Sequence, residues 1–138
     1  MPAIDRRPEV HDPHEFAVTL PAVETSVPRA RRAIARACRE LGAGEAVCAR
    51  IALAASEAVT NAVLHGFPHG HGEVRPSVRR EGGELELVIA DNGQGLVTRS
   101  DSPGMGMGLG IIAEVSDRLS IVDGRPGTEL HMWFAVEG

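Results

Sequence analysis

Three short stretches of this chain hold the residue types that chemistry needs. Residues 56–66 read S-E-A-V-T-N-A-V-L-H-G, with Glu57 and Asn61 four apart and His65 four further on. On a helix that spacing lines up a carboxylate, a carboxamide and an imidazole in one row. An isolated E-x-x-x-N is most often a solvated helix edge, so the row needs support from elsewhere. Two glycine-rich stretches supply it: D-N-G-Q-G at 91–95 and G-M-G-M-G-L-G at 104–110. Asp91 closes a strand pattern, and a carboxylate there can accept a hydrogen bond from an amino group such as the exocyclic amine of adenine. Gly93 and Gly95 let a ligand come close to the backbone. Gly104, Gly106, Gly108 and Gly110 expose backbone N–H groups where a helix begins, which is a phosphate cradle in physical terms; the plain alternative is a flexible turn. Neither the Walker pattern nor a strand followed by G-x-G-x-x-G in a parallel βαβ unit is present.

The elements that must position these residues follow from periodicity. Ile51, Ala55, Ala58 and Ala62 fall on one apolar face of a helix over 45–65, stopped by Gly66 and Pro68. A preceding helix over 24–41 has the stripe Val27, Ala30, Ile34, Ala37, Cys38 and Leu41, with Thr25 or Ser26 as its cap and Pro28 in its first turn. Its arginines, Arg29, Arg32, Arg36 and Arg39, read as a solvated face. Strands are predicted at 14–20, 74–80, 84–90, 119–122 and 128–136, and a third helix at 105–115. In the strand at 84–90, Leu85, Leu87 and Ile89 point to one face and Glu84, Glu86 and Val88 to the other; Leu130, Met132 and Phe134 alternate likewise with His131, Trp133 and Ala135. The hairpin signal Gly82-Gly83 precludes an all-parallel sheet. The expected fold is α+β: a two-layer sandwich of a mixed, mostly antiparallel sheet with three helices on one face. Residues 1–13, with three prolines, are expected to be a loose tail, and 14–138 a single domain.

Composition narrows the function. The chain has 138 residues, 14 basic groups that are all Arg, and a net charge of −5, which argues against direct nucleic-acid binding. Cys38 and Cys48 lack metal-ligand spacing and read as core residues in a reducing compartment. His65, His69 and His71 suggest a metal at first sight, but no carboxylate or thiol sits at a familiar spacing. No uninterrupted apolar run is long enough to span a membrane, and no secretory signal opens the chain, so a cytoplasmic protein is expected.

Taken together and in this order, E-x-x-x-N, D-x-G-x-G, G-x-G-x-G-L-G and a late G-T resemble the GHKL ATPase superfamily, which includes gyrase, histidine kinases and MutL. Within it, S-E-A-V-T-N-A-V-L-H-G looks like the anti-sigma-factor serine kinases of the RsbW/SpoIIAB type, over residues 14–136. The resemblance implies ATP and Mg²⁺ as cofactors. It implies that Asn61 is the Mg²⁺ ligand bridging metal and triphosphate, and that Glu57 orients or deprotonates the attacking hydroxyl. Asp91 would read adenine, with Gly93 and Gly95 beside it and Thr128 reaching the base through water. Gly104, Met105, Gly106, Gly108, Leu109 and Gly110 would form the phosphate side. Arg29, in E-T-S-V-P-R, aligns with a first-helix arginine that contacts both protein partners. Those partners would be a sigma factor and an anti-anti-sigma STAS-domain protein, and a homodimer is implied. The lid is short, V-T-R-S-D-S between Leu96 and Pro103, and Ser102-Pro103 replace the basic residue found before G-M-G in better-known members. That favours a second reading, a nucleotide-responsive binding module with little kinase activity. A detached histidine-kinase catalytic domain is a third, opposed by the missing phosphoacceptor hairpin.

Overall fold

The computed structural model describes residues 14–66, 72–93, 105–123 and 127–136. In chain order the elements are β1 (Glu15–Ala17), β2 (Leu20–Pro21), α1 (Ser26–Glu40), α2 (Glu45–Asn61), a π-helical turn (Ala62–Gly66), β3 (Glu73–Glu81), β4 (Glu84–Asp91), α3 (Met105–Val115), β5 (Arg118–Asp123) and β6 (Thr128–Ala135). The strands form one sheet in the order β1-β3-β4-β6-β5, with β2 also on β3. The expected α+β sandwich is present. As the expectation of a mostly antiparallel sheet requires, every pairing among the described strands is antiparallel.

The expected first strand is split in two, and Pro76 explains the break. Ala17 pairs with Ser77 and Leu20 with Val74, so the register is the same on both sides. Between them Val18 N–H donates to the Pro76 carbonyl at 3.1 Å. Pro76 has no N–H to return the bond, so the ladder lapses there.

Helix α1 ends in a Schellman motif. Ala43 N–H donates to the Cys38 carbonyl and Gly42 N–H to the Arg39 carbonyl, both at 3.0 Å, with Gly42 at φ +95°. The Arg80 guanidinium then donates to the Leu41 carbonyl at 2.6 Å, tying the turn to β3. At the other end, Thr25 occupies the cap position without a side-chain cap bond, and the Ser26 hydroxyl is buried without a partner, so neither expected cap operates. The first backbone donors are met by a turn, Ser26 N–H to Val23 and Val27 N–H to Glu24.

The core lies between α1 and α2 and the inner sheet face. Leu85, Leu87, Ile89, Leu130, Met132 and Phe134 meet Ile34, Ile51, Ala55 and Ala58 there, as their alternation predicts. Each large side chain buried there stabilises the fold by roughly 1.5–3 kcal/mol. The small residues of α2 let it settle close to the sheet. The segment Glu45–Leu64 is long and apolar enough on average to cross a membrane, but more than half of that window is buried inside the domain, as befits a core helix. Cys38 and Cys48 are free and buried; burial first, and the neighbouring Cys48 thiol second, push Cys38 up to about 12.

The outer sheet face carries a charged cluster. His131 lies between Glu86 on Nδ1 and Glu129 on Nε2, both at 2.9 Å, and stacks on Trp133. Burial pulls the His131 pKa down, but hydrogen bonds to the two carboxylates outweigh it and the net shift is upward. Burial likewise pushes Glu86 up, and the bonds from His131 and Arg79 outweigh it, so Glu86 is held low. An imidazolium donates on both sides, whereas neutral imidazole donates on one only. The stability His131 contributes is therefore full below its unfolded pKa and lost as pH rises through its folded one. Chemical denaturation should show a higher midpoint at pH 6 than at pH 8, and His131→Gln should remove that difference.

Candidate functional site

Chain connectivity gathers the candidate residues at one end of the domain. The four-residue turn at 41–44 makes α1 and α2 a hairpin, so the start of α1 lies beside the end of α2. Asn61 is the last residue of α2, and a short connection leads from the following turn to Glu73 at the start of β3. Val74 of β3 pairs with Asp91, the last residue of β4. Asp91 pairs on its other side with Thr128, the first residue of β6. Asn61, Asp91 and Thr128 thus share one end, the end from which the chain departs toward α3.

On α2, Glu57 is half-buried and makes no hydrogen bond or ion pair among the described residues. Asn61 is 4% exposed and its Nδ2 has no partner. A buried amide donor left unmet costs about 1–3 kcal/mol, so this is not the solvated helix edge that the spacing alone allowed. The π-helical turn begins immediately after Asn61. His65 falls within that turn, and its side chain lies outside the described residues. His69 and His71 lie outside the described residues.

Asp91 Oδ1 accepts the Gly93 N–H at 2.8 Å, which folds the D-N-G segment back on the strand end. Asn92 Oδ1 accepts the Glu73 N–H at 3.0 Å and holds the same segment to β3. Thr128 is 2% exposed, directly across from Asp91. A cleft of about 230 Å³ opens here, lined by Thr19, Glu73, Arg75, Ala90, Asp91 and Asn92. It touches Asp91 but neither Glu57 nor Asn61.

Two residues of this region escaped the sequence reading. Gly127 has φ +99°, and a Cβ there would collide with the Asp91 carbonyl oxygen and stand 3.1 Å from its carbon and 3.2 Å from the Asn92 Cα. The backbone of Gly127 therefore packs on Asp91; the late G-T was the available signal. Arg50 donates to the Val115 carbonyl from Nε at 3.1 Å and Nη2 at 2.6 Å and lies 3.7 Å from Asp117. Asp117 Oδ2 in turn accepts the Ala135 N–H at 2.7 Å. The end of α3 is pinned to α2 and β6, a long-range contact that no local pattern announces.

Helix α3 starts at Met105, so Gly106, Gly108 and Gly110 belong to its first two turns and only Gly104 precedes it. The donors this end offers are the first backbone N–H groups of the helix, which favour anions. Leu109 packs against the core. Gly110 is exposed, and a Cβ there meets nothing within 4 Å. Gly110→Ala should therefore stabilise α3 by about 1 kcal/mol in thermal unfolding. If the open space belongs to a bound triphosphate, the same change should weaken nucleotide binding. Gly95 and Gly104 lie outside the described residues. Arg29 is exposed near the start of α1, with Arg32 and Arg36 beside it around a small cleft.

The residues present suit a Mg²⁺-nucleotide. A carboxamide oxygen is a hard ligand of the kind Mg²⁺ accepts, and the unpaired Nδ2 of Asn61 is a donor that a phosphate oxygen would satisfy. Among the described residues no cluster of three His, Cys, Asp or Glu side chains forms a metal site of its own.

Comparison with known proteins bears on the family and the fold. A profile of the histidine kinase-like ATPase domain matches residues 20–134. The chain is 36% identical over 91 residues to an anti-sigma F factor of Bacillus licheniformis, covering 56% of this chain and 62% of that protein. It is 31% identical over 91 residues to an anti-sigma F factor of Clostridium kluyveri, covering 57% and 64%. The matched region spans less than two thirds of either relative. A solved structure of the RsbU and RsbW domains of Rv1364c from Mycobacterium tuberculosis superposes with a TM-score of 0.72 at 24% identity, over 88% of this chain and 32% of that one. At that identity the likeness concerns the fold.

Proposed function

The chain belongs to the histidine kinase-like ATPase domain family, and from that premise we propose that it is an anti-sigma factor that binds ATP with Mg²⁺ and phosphorylates a serine or threonine of an anti-anti-sigma, STAS-domain antagonist. The observation that carries the reading is the buried, donor-unsatisfied carboxamide of Asn61 one helical turn beyond a half-buried, unpaired Glu57. The similarity to two proteins named anti-sigma F factors supports the regulatory part.

The roles follow from the residues. Asp91, fixed by Gly93 and by the backbone of Gly127, would accept the exocyclic amine of adenine, with Thr128 beside it. Asn61 would hold Mg²⁺ through its amide oxygen, and the metal would neutralise phosphate charge. The N–H groups opening α3 would hold the phosphates. Phosphoryl transfer depends on positioning and charge stabilisation more than on covalent help. Glu57 would take the proton from the partner's hydroxyl as its oxygen bonds to the γ-phosphorus and the bond to the departing diphosphate breaks. A base in that role contributes about 10²–10⁴-fold. The short lid at 97–102 keeps one alternative in play, a nucleotide-responsive switch that binds without transferring.

Radiolabelled ATP with Mg²⁺ and a candidate STAS-domain protein tests both. Label on a serine or threonine of the partner, reduced at least about 100-fold by Glu57→Ala, is the expected result. ATP binding without label selects the switch, and absence of ATP binding refutes both readings.

A further inference from the structure

Helix α3 has neither end complemented by its own sequence. Its first turn carries no acidic residue and its last turn no basic one, although a helix favours an anion at the first and a cation at the second. The cation for the last turn comes from α2. Arg50 donates to the Val115 carbonyl through Nε at 3.1 Å and Nη2 at 2.6 Å. Val115 is the last residue of α3, so this carbonyl has no partner within the helix. The same guanidinium lies 3.7 Å from Asp117 and 5.8 Å from the centre of the Phe134 ring. Asp117 is itself held, its N–H donating to the Trp133 carbonyl at 2.8 Å and its Oδ2 accepting the Ala135 N–H at 2.7 Å. One side chain of α2 thus joins the end of α3 to β6.

The first half of α3 depends on that joint. Gly106, Gly108 and Gly110 fall in its first two turns, and glycine is the weakest helix former apart from proline. Leu109, Ile112 and Val115 pack on the core, so the fixed part of the helix is its second half. From Arg50 to Asn61 is a rise of about 16 Å along α2, and from Val115 back to Met105 about 15 Å along α3. The two helices pack on each other. Joined at Arg50, they bring their other ends, Asn61 and the first N–H groups of α3, to about one level.

We propose that Arg50 is a positioning residue for the triphosphate: by holding the last turn of α3 on α2, it fixes where the first N–H groups of α3 stand relative to Asn61. The proposal rests on the nucleotide reading above and extends it to a residue about 16 Å from Asn61 along α2. The joint acts on the phosphate side alone. Asp91 and Thr128 are set by the β4–β6 ladder, by Gly93 and by Gly127. Thr128 opens β6, whereas Phe134 and Ala135, which meet Arg50 and Asp117, close it. Loss of Arg50 therefore frees the phosphate donors and leaves the adenine end in place. Aligned donors lose their effect over displacements of about 1 Å.

Three measurements on the whole chain test it: calorimetric titration with ATP and Mg²⁺, NMR titration with adenosine, which has the base but no phosphate, and amide hydrogen exchange without nucleotide. Arg50→Gln should lower ATP affinity at least about tenfold. Its adenosine affinity should be unchanged, and its α3 amides should exchange faster. Arg50→Lys keeps the charge but not the two-pronged donor. It should show the same pattern with a smaller loss, and it carries the test if the Gln variant does not fold. Arg80→Gln removes another guanidinium–carbonyl bond, the one to Leu41. It should lower the melting temperature and leave both affinities and α3 exchange unchanged. Equal loss of ATP and adenosine in Arg50→Gln, or an equal loss of ATP in Arg80→Gln, overturns the proposal. Wild-type binding of ATP that Arg50→Gln retains refutes the proposal alone, whereas a wild type that binds no ATP refutes the nucleotide reading and the proposal with it.

Discussion

Asn61→Ala is expected to lose at least about 100-fold in affinity for ATP with Mg²⁺, roughly 2.7 kcal/mol, while unfolding at the same denaturant concentration or a higher one. The two halves of this result have one cause. Asn61 is 4% exposed with an unmet Nδ2, so in the free protein its amide is a burden of about 1–3 kcal/mol. Alanine removes that burden and leaves a small space between α2 and its neighbours, and the two effects nearly cancel. A ligand-bound state gains nothing from alanine, which has neither an oxygen for the metal nor a donor for a phosphate. Calorimetric titration with and without Mg²⁺, beside urea unfolding, reads both quantities. A large fall in stability with unchanged affinity would show Asn61 to be a packing residue only.

Gly127→Ala is expected to cost about 2–4 kcal/mol of stability and to remove nucleotide binding with it. The φ of +99° disfavours any side chain, and the new Cβ would meet the Asp91 carbonyl and crowd Asn92. Relief requires β4 and β6 to part where Asp91 faces Thr128. Urea midpoints measure the first effect, and titration of the remaining folded protein measures the second. Ala at Gly83, where a Cβ meets nothing within 4 Å, is the control and should be near neutral.

These two residues mark how far local pattern reaches. The helices, the strands and their inner faces were legible because burial imposes periods of 3.6 and 2: Leu85, Leu87 and Ile89, or Ile51, Ala55 and Ala58, could point inward in one way only. The candidate residues were legible as types and spacing, with E-x-x-x-N at the end of α2, Asp91 at the end of β4 and Gly106, Gly108 and Gly110 within α3. The caps were misread at Thr25 and Ser26, because a turn through Val23 and Glu24 met the same donors. The strand over 14–20 was read as continuous, because its break comes from Pro76 on another strand.

By itself, then, the sequence determined the elements, their buried faces and the chemical types available at the ends of α2, β4 and β6. It could not say that Asn61 is enclosed rather than solvated, because enclosure depends on what packs over a helix and not on its own spacing. Tertiary structure alone placed Thr128 across from Asp91, set the backbone of Gly127 against Asp91, and pinned α3 to α2 through Arg50 and Val115. It alone set Arg29, Arg32 and Arg36 around one cleft, without a partner among the described residues. Each of these is a contact between residues distant in the chain, and such contacts leave no period for a sequence to display.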